Sequence, residues 1–231
     1  MIDFHSHILP CMDDGSRSVK ESCELLLRLS AQGIESVVAT PHFYADNESV
    51  EHFLERRRVA YESLASSLHG EMPKIILGAE IQYYQGISRL EALSDLCIGD
   101  SRLLLLEMPF CKWTEYTVKE IIDICSDGRY LLVLAHIERY LKLQSKKVID
   151  RLMQSDILLQ ANADFFINIT TRKKALKMLY NQQIQLIGSD CHNLDSRYPR
   201  INEALNRIEK KLGKDFVKNI SDYSNSLLYN R

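Results

Sequence analysis

Short apolar runs alternate along the chain with longer segments in which apolar residues recur at helical spacing. The short runs predict strands at Ile2–Ile8, Ser36–His42, Ile75–Gln82, Leu103–Pro109, Leu131–Ile137, Ile157–Asn162 and Gln185–Asp190. The amphipathic segments predict helices at Val19–Gln32, Val50–Leu68, Val118–Ser126, Lys146–Gln154, Lys173–Asn181 and Ile201–Leu212. Leu90–Ser101 reads as a short helix followed by a turn. The tail SDYSNSLLYNR carries Tyr223 and Tyr229, residues expected to pack or fray. Strands that are apolar throughout, each followed by a helix, argue for a parallel sheet covered by helices. No internal repeat, low-complexity run or Pro/Gly-rich linker divides the chain, so residues 1–231 read as one domain.

The strands end in an unusual way. Their last residues read FHSHI, TPH, GAEI, LEMP, AHIERY, QAN and GSDCH, so runs that would otherwise be core stop at His5, His7, His42, Glu80, Glu107, His136, Asp190 and His192. The C-terminal ends of parallel strands share one face, and a barrel makes that face converge where an open sheet would spread it along a line. A barrel is therefore expected. His5 and His7 lie two apart and point into its mouth together, and Asp190 and His192 repeat that spacing with Cys191 turned away. Neutral imidazoles with carboxylates form a ligand set for Mn, Zn or Fe. Glu80 and Glu107 end apolar runs, where a cation would offset the cost of a buried charge. Each residue alone has a structural explanation. Five of the seven histidines sit at strand ends, however, and one cluster explains them better than separate hydrogen-bonding roles. His52 and His69 are assigned to the surface, and Asp13 or Asp14 in the first loop is near enough to join.

Composition narrows the setting. At 231 residues and 45% hydrophobic content, the chain can bury one sizeable core. The net charge of −2 offers nothing to nucleic acid, and no run is long enough to insert in a membrane. Arg56-Arg57-Arg58 and Arg172-Lys173-Lys174 read as solvated helix faces. The six cysteines are scattered and the N-terminus shows no signal-peptide pattern, so the chain reads as a soluble cytoplasmic protein.

One motif points elsewhere. Cys11 and Arg17-Ser18 match the C-x5-R-[ST] pattern of phosphatases that attack with a thiolate. Such a loop surrounds a phosphate dianion with backbone N–H groups, whereas Asp13 and Asp14 would repel it. The cysteine-to-arginine spacing recurs at Cys191 and Arg197. Cys11 is read as a bystander, and a metal-activated hydroxide as the nucleophile.

His5-Ser6-His7, Asp13-Asp14-Gly15, Pro41-His42, Gly78-Ala79-Glu80, the AHIERY block at 135–140 and the SDCHNL block at 189–194 together resemble the polymerase-and-histidinol-phosphatase (PHP) superfamily. More narrowly, they are similar to the bacterial capsule and exopolysaccharide tyrosine phosphatases. The resemblance implies an α/β fold, a distorted seven-stranded (β/α) barrel of the PHP type with metals at the C-terminal face of the strands. It implies three divalent metal ions, manganese first, with zinc or iron as alternatives. One metal would take His5, His7, Glu80 and Asp190. Glu80 would bridge to a second, held by Glu107 and His136, and the third would take Asp14, His42 and His192. Arg139 and Arg197 would bind the substrate phosphate, which suits the planar guanidinium fork. Tyr140 is read as packing against the barrel. The implied substrate is a phosphotyrosine-bearing tyrosine kinase of polysaccharide export. A small phosphate monoester such as histidinol phosphate is the alternative, and an inactive phosphate-binding barrel is the non-enzymatic rival.

Overall fold

The computed structural model describes residues 1–126 and 128–229. Its strands are β1 (Ile2–Ser6), β2 (Ser36–Ala39), β3 (His42–Phe43), β4 (Lys74–Leu77), β5 (Glu80–Gln82), β6 (Leu103–Glu107), β7 (Leu131–Leu134), β8 (Leu158–Asn162) and β9 (Leu186–Gly188). The helices are α1 (Val19–Ala31), α2 (Val50–Ala65), α3 (Glu115–Cys125), α4 (Lys146–Met153), α5 (Ala163–Ile167), α6 (Arg172–Tyr180), α7 (Ile201–Leu212) and α8 (Lys214–Tyr229). Helices α1 to α4 start at Ser18, Ser49, Thr114 and Ser145, whose side chains accept from an N–H of the first turn.

Every strand pair is parallel. Three strands form one sheet in the order β1-β2-β4, and six form another in the order β3-β5-β6-β7-β8-β9. The result is an α/β fold around a curled parallel half-barrel. Two expected strands are broken: Ser36–His42 between β2 and β3 at Thr40-Pro41, and Ile75–Gln82 between β4 and β5 at Gly78-Ala79. Proline carries no N–H for a ladder, yet Gly78 N still donates to Ala39 O (2.9 Å) and Glu80 N to Pro41 O (3.0 Å). Seven expected strands thus appear as nine shorter ones. At the far side, Asp190 N donates to His5 O (2.8 Å) and His7 N to Cys191 O (2.9 Å), which sets the end of β9 against β1.

Alternate strand residues face opposite ways. Leu103, Leu105 and Val133 join Ile2, Phe4 and Val38 in a cluster inside the curl. Leu104, Leu106, Leu132 and Leu134 join the larger cluster beneath the helices. Both faces are buried, hence the uninterrupted apolar runs. Glu107 continues the inward series of Leu103 and Leu105, and so enters the mouth.

Helix α8 was not expected. It buries Ile220 and Ser224, and its Leu227 and Leu228 lie against the inner cluster. Tyr223 and Tyr229 are half-exposed on it, with Lys74 Nζ 4.8 Å from the Tyr229 ring centre. The last two residues of that tail, 230 and 231, lie outside the described residues. Leu90–Ser101 holds a 3-10 helix at Glu91–Leu96 and a turn, as its pattern implies. No described helix is long and apolar enough to cross a membrane.

Candidate metal centre

The strand ends bring the expected residues together. His5 Nε2 and His7 Nε2 face each other at 3.2 Å, as the two-residue spacing requires. Glu80 Oε2 lies 3.2 Å from His5 Nε2, 3.3 Å from His7 Nε2 and 3.1 Å from His42 Nδ1. His136 Nε2 meets Glu80 Oε1 at 2.8 Å and Glu107 Oε1 at 3.3 Å. Asp190 Oδ1 stands 3.7 Å from His5 Nε2 and 3.6 Å from both His7 Nε2 and His192 Nδ1. Asp14 Oδ1 closes the ring at 3.3 Å from His192 Nε2 and 3.6 Å from His42 Nε2. Three sets of these residues offer ligand atoms within 4.8 Å of one another: His7, Asp14, His42 and His192; His5, His7 and Asp190; His42, Glu80 and Glu107. These sets share His7 and His42, unlike the partition that the resemblance implied. His52 and His69 are exposed and lie outside all three.

Behind these groups lies a layer that orients them. Asp13, not Asp14, is the buried acid of the first loop. It accepts from His7 Nδ1 (2.8 Å), His42 N (2.8 Å) and Gly15 N (2.9 Å). Gly15 is required there, because a Cβ would lie 2.4 Å from His7 O and 2.5 Å from His7 Cβ. Gln160 Oε1 accepts from His136 N (2.7 Å) and lies 3.3 Å from His5 Nδ1. Gln160 Nε2 donates to Asn162 Oδ1 (3.0 Å), whose Nδ2 donates to Asp190 Oδ2 (2.8 Å). Asp3 accepts from Ser189 N (2.8 Å) and Ser189 Oγ (2.6 Å), tying β1 to the loop that carries Asp190. Burial nonetheless pushes the Asp3 carboxyl up to about 6. His136 and Asp190 have left-handed backbones (φ 34° and 53°), conformations that non-glycine residues hold mostly under local constraint.

The electrostatics follow from burial and crowding. Burial alone would lower His7, but Asp13 and Glu80 reverse it and raise the imidazole to about 10. Burial likewise loses at His136, which Glu107 and Glu80 lift to about 9. For His192, burial and the His7 charge win, and it falls to about 4. Burial also lowers His42. Glu80 is held well below its usual range despite burial, by His5, His136 and His7. Without metal, the raised affinity of His7 and His136 for protons answers the crowd of carboxylates around them.

Two observations fit divalent cations. His42 Nδ1 and His192 Nε2 are buried with no hydrogen-bond partner among the described residues. Their neighbours Glu80 Oε2 and Asp14 Oδ1 come close but out of line, and both are acceptors. A buried lone pair facing a carboxylate oxygen is costly unless a cation lies between them. The donor set is also right: imidazole and carboxylate suit Mn, Fe or Zn.

Arg139 and Arg197 stand over this cluster. Arg139 Nη2 donates to Asp190 Oδ2 (2.6 Å) and Arg197 Nη2 to Asp190 Oδ1 (2.8 Å). Their Nη1 atoms are held more loosely, 3.8 Å from Glu107 and 3.5 Å from Asp14. Each guanidinium is thus fixed by one nitrogen, and each side chain is about a third exposed. A pocket of about 130 Å³ lies between them, and one of about 480 Å³ opens from Asp14 and His42 toward Tyr44 and Arg56.

Comparison with known proteins gives the family. Residues 1–228 match the family described as capsular polysaccharide synthesis, CpsB/CapC. The chain belongs to the CpsB/CapC family. It is 34% identical to tyrosine-protein phosphatase CpsB of Streptococcus pneumoniae, over 95% of this chain and 94% of that protein. It is 29% identical to tyrosine-protein phosphatase YwqE of Bacillus subtilis, over 100% and 92%. A crystal structure from a study of YwqE and CpsB, described as unique metal-dependent tyrosine phosphatases, superposes with a TM-score of 0.86 at 25% identity, covering 100% of this chain and 95% of that one.

Among the described residues of this CpsB/CapC-family chain, no cysteine joins the groups of candidate ligands. Cys11 Sγ points at Arg17 O (3.1 Å), an acceptor that would repel a thiolate. Cys191 is fully buried, and burial pushes its thiol far up. The arginine run at 56–58 is not simply a solvated face. Arg56 donates to Glu48 and to Met12 O, both at 2.6 Å, and Arg57 donates to Gly78 O (2.7 Å), with burial lowering it to about 10. Tyr140 packs as expected, but its hydroxyl also accepts from Met108 N (3.0 Å) and lies 3.3 Å from His136 Nδ1. Of the orienting residues, Asp13 was visible only as a candidate ligand. Gln160 and Asn162 share the two-residue spacing of the histidines, the one signal that marks them.

Proposed function

We infer that this chain is a metal-dependent protein-tyrosine phosphatase of capsule or exopolysaccharide synthesis. The observation that carries this reading is the convergence of eight ligand candidates in three overlapping groups, with His136 beside Glu80 and Glu107, beneath two arginines with N–H groups to spare. We assign the metal-holding role to His5, His7, Asp14, His42, Glu80, Glu107, His136, Asp190 and His192, and the phosphate-binding role to Arg139 and Arg197. Three divalent ions, manganese foremost, fit this number of donors. When bound, such ions would supply Lewis-acid charge and lower the pKa of a water for attack on phosphorus.

The protein's own part is to place and neutralise. Arg139 and Arg197 present N–H groups to the phosphoryl oxygens, where charge is concentrated during transfer. Asp190 sets the angle of both guanidinium groups through one nitrogen each. A tyrosine leaves as a phenolate whose conjugate acid has a pKa of about 10, so it needs less help from a general acid than an alkoxide does. Asp13 and Tyr140 keep His7 and His136 from turning. We read the fold as one PHP-type domain over residues 1–231 and the nine strands as the segments of a distorted seven-stranded barrel. The partner is then a phosphotyrosine-bearing kinase of polysaccharide export. A cytoplasmic site of action is supported by six scattered cysteines suited to a reducing compartment.

The histidinol-phosphate alternative is not favoured, since the close relatives are tyrosine phosphatases. Phosphate release by the Mn2+-loaded protein from phosphotyrosine peptides and from histidinol phosphate separates the two. The peptides should have the higher kcat/KM. Preference for histidinol phosphate would reverse the assignment.

A further inference from the structure

Phe110 is a large apolar side chain held in solvent beside the cluster. It is 55% exposed, yet the loop that carries it is pinned on every side. Trp113 Nε1 and Cys111 N both donate to Pro109 O (3.0 and 2.8 Å). Gln144 accepts from Trp113 N (3.0 Å) and donates to Cys111 O (2.7 Å). Trp113 itself is buried against Tyr140, with ring centres 5.1 Å apart. A rigid loop that keeps its aromatic in water forgoes hydrophobic burial, and such exposure marks binding surfaces.

Its surroundings say what it would bind. The Phe110 ring lies nearly parallel to His136 (25°, centres 6.1 Å apart) and to Tyr140 (24°, 5.6 Å). The Arg139 guanidinium carbon sits 5.7 Å from its centre. Phe110 also follows Glu107 by three residues, on the loop leaving β6. A phosphoryl group gripped by Arg139 therefore has an aromatic surface next to it.

We propose that Phe110 packs against the aryl ring of the substrate while Arg139 holds the phosphoryl oxygens, so that the preference for aryl over alkyl phosphate esters is set at this residue. This rests on the phosphatase reading above. A serine phosphate has no ring to offer and draws nothing from Phe110. Tyr44, stacked on His42 (5.2 Å, 28°), is the other aromatic beside the cluster, and neither Arg139 nor Arg197 lies over its ring.

The test uses the full chain loaded with Mn2+, and inhibition constants for phenylphosphonate and methylphosphonate. Phe110→Ala should lower the phenyl-over-methyl preference by about tenfold, the scale of one ring contact with its burial. Phe110→Trp should restore it. With phenyl phosphate as substrate, the Ala variant should lose through KM more than through kcat. A preference indifferent to Phe110, or one lost only in Tyr44→Leu, would overturn the proposal while leaving the phosphatase reading intact. Metal-loaded wild-type protein that releases no phosphate from any aryl ester would overturn that reading and this one together.

Discussion

Gly188 offers a sharp test of how the fold builds the site. It ends β9, where the strand passes against His5. A Cβ added there would lie 2.5 Å from His5 Cβ, 2.8 Å from Gln160 Nε2 and 2.9 Å from His5 N. Ordinary contacts begin near 3.4 Å, so Gly188→Ala must part β9 from His5 by about 0.9 Å. The two His5 neighbours are a Cβ and a backbone nitrogen with no flexible end to swing aside, and Gln160 Nε2 ends a longer side chain that is itself tied to Asn162. Overpacking of this kind costs about 2–3 kcal/mol of stability. It also moves His5 and Gln160, and with Gln160 the hydrogen bonds to His136 N and Asn162. Misplacement near 1 Å at a catalytic constellation is worth about 100-fold in rate. Thermal unfolding, metal content after dialysis and phosphate release on one preparation separate the two effects. The variant should fold with a lowered Tm, retain less metal and turn over about 100-fold more slowly. Wild-type metal retention and rate in a folded Gly188→Ala protein would refute the claim that close approach of β9 to β1 positions His5.

Other outcomes follow from the same geometry. Asp13→Asn replaces the carboxylate that orients His7, and metal affinity measured by chelator competition should weaken about 10- to 100-fold. Arg139→Ala and Arg197→Ala each remove charge-assisted hydrogen bonds to phosphate, so kcat/KM on phosphotyrosine peptide should fall about 10- to 100-fold, with metal content unchanged. His7 and His136, raised to about 10 and about 9, both hold protons at about pH 7.5 without metal. Ligation needs them neutral, so loading should release both protons, seen as buffer-dependent heats in calorimetry. The sign for stability is that of raised bases: in metal-free protein their contribution is full below about 6.5 and is lost as pH rises through about 9 to 10.

Much of the site could be read along the chain because it is periodic. His5 and His7 share a face by strand geometry alone, and each apolar run announced the strand that delivers its polar end. Asp190 and His192, expected on the last strand, instead lie past the end of β9, where a left-handed Asp190 turns the loop. The orienting layer could not be read in this way. Asp13 and Asp14 are adjacent acids with identical local chemistry, and only the wrap of the loop over Gly15 buries one and exposes the other. Gln160 serves residues 24 and 155 positions away, distances no local pattern encodes. The breaks at Thr40-Pro41 and Gly78-Ala79 look continuous in sequence because both sides of the sheet are apolar. Helix α8 was missed because few of its residues are buried, Ile220 and Ser224 among them, so its stripe is faint. Phe110 looked like one more apolar residue after a strand, and its exposure appears only once Trp113 and Gln144 are seen holding the loop.

The most direct measurement is phosphate release from a phosphotyrosine peptide by one preparation, with added Mn2+, with EDTA, and after thiol alkylation. Loss with EDTA and survival of alkylation is the predicted result, because the strand-end cluster, not Cys11, carries the chemistry. Loss on alkylation with indifference to EDTA would contradict it and return the nucleophile to Cys11.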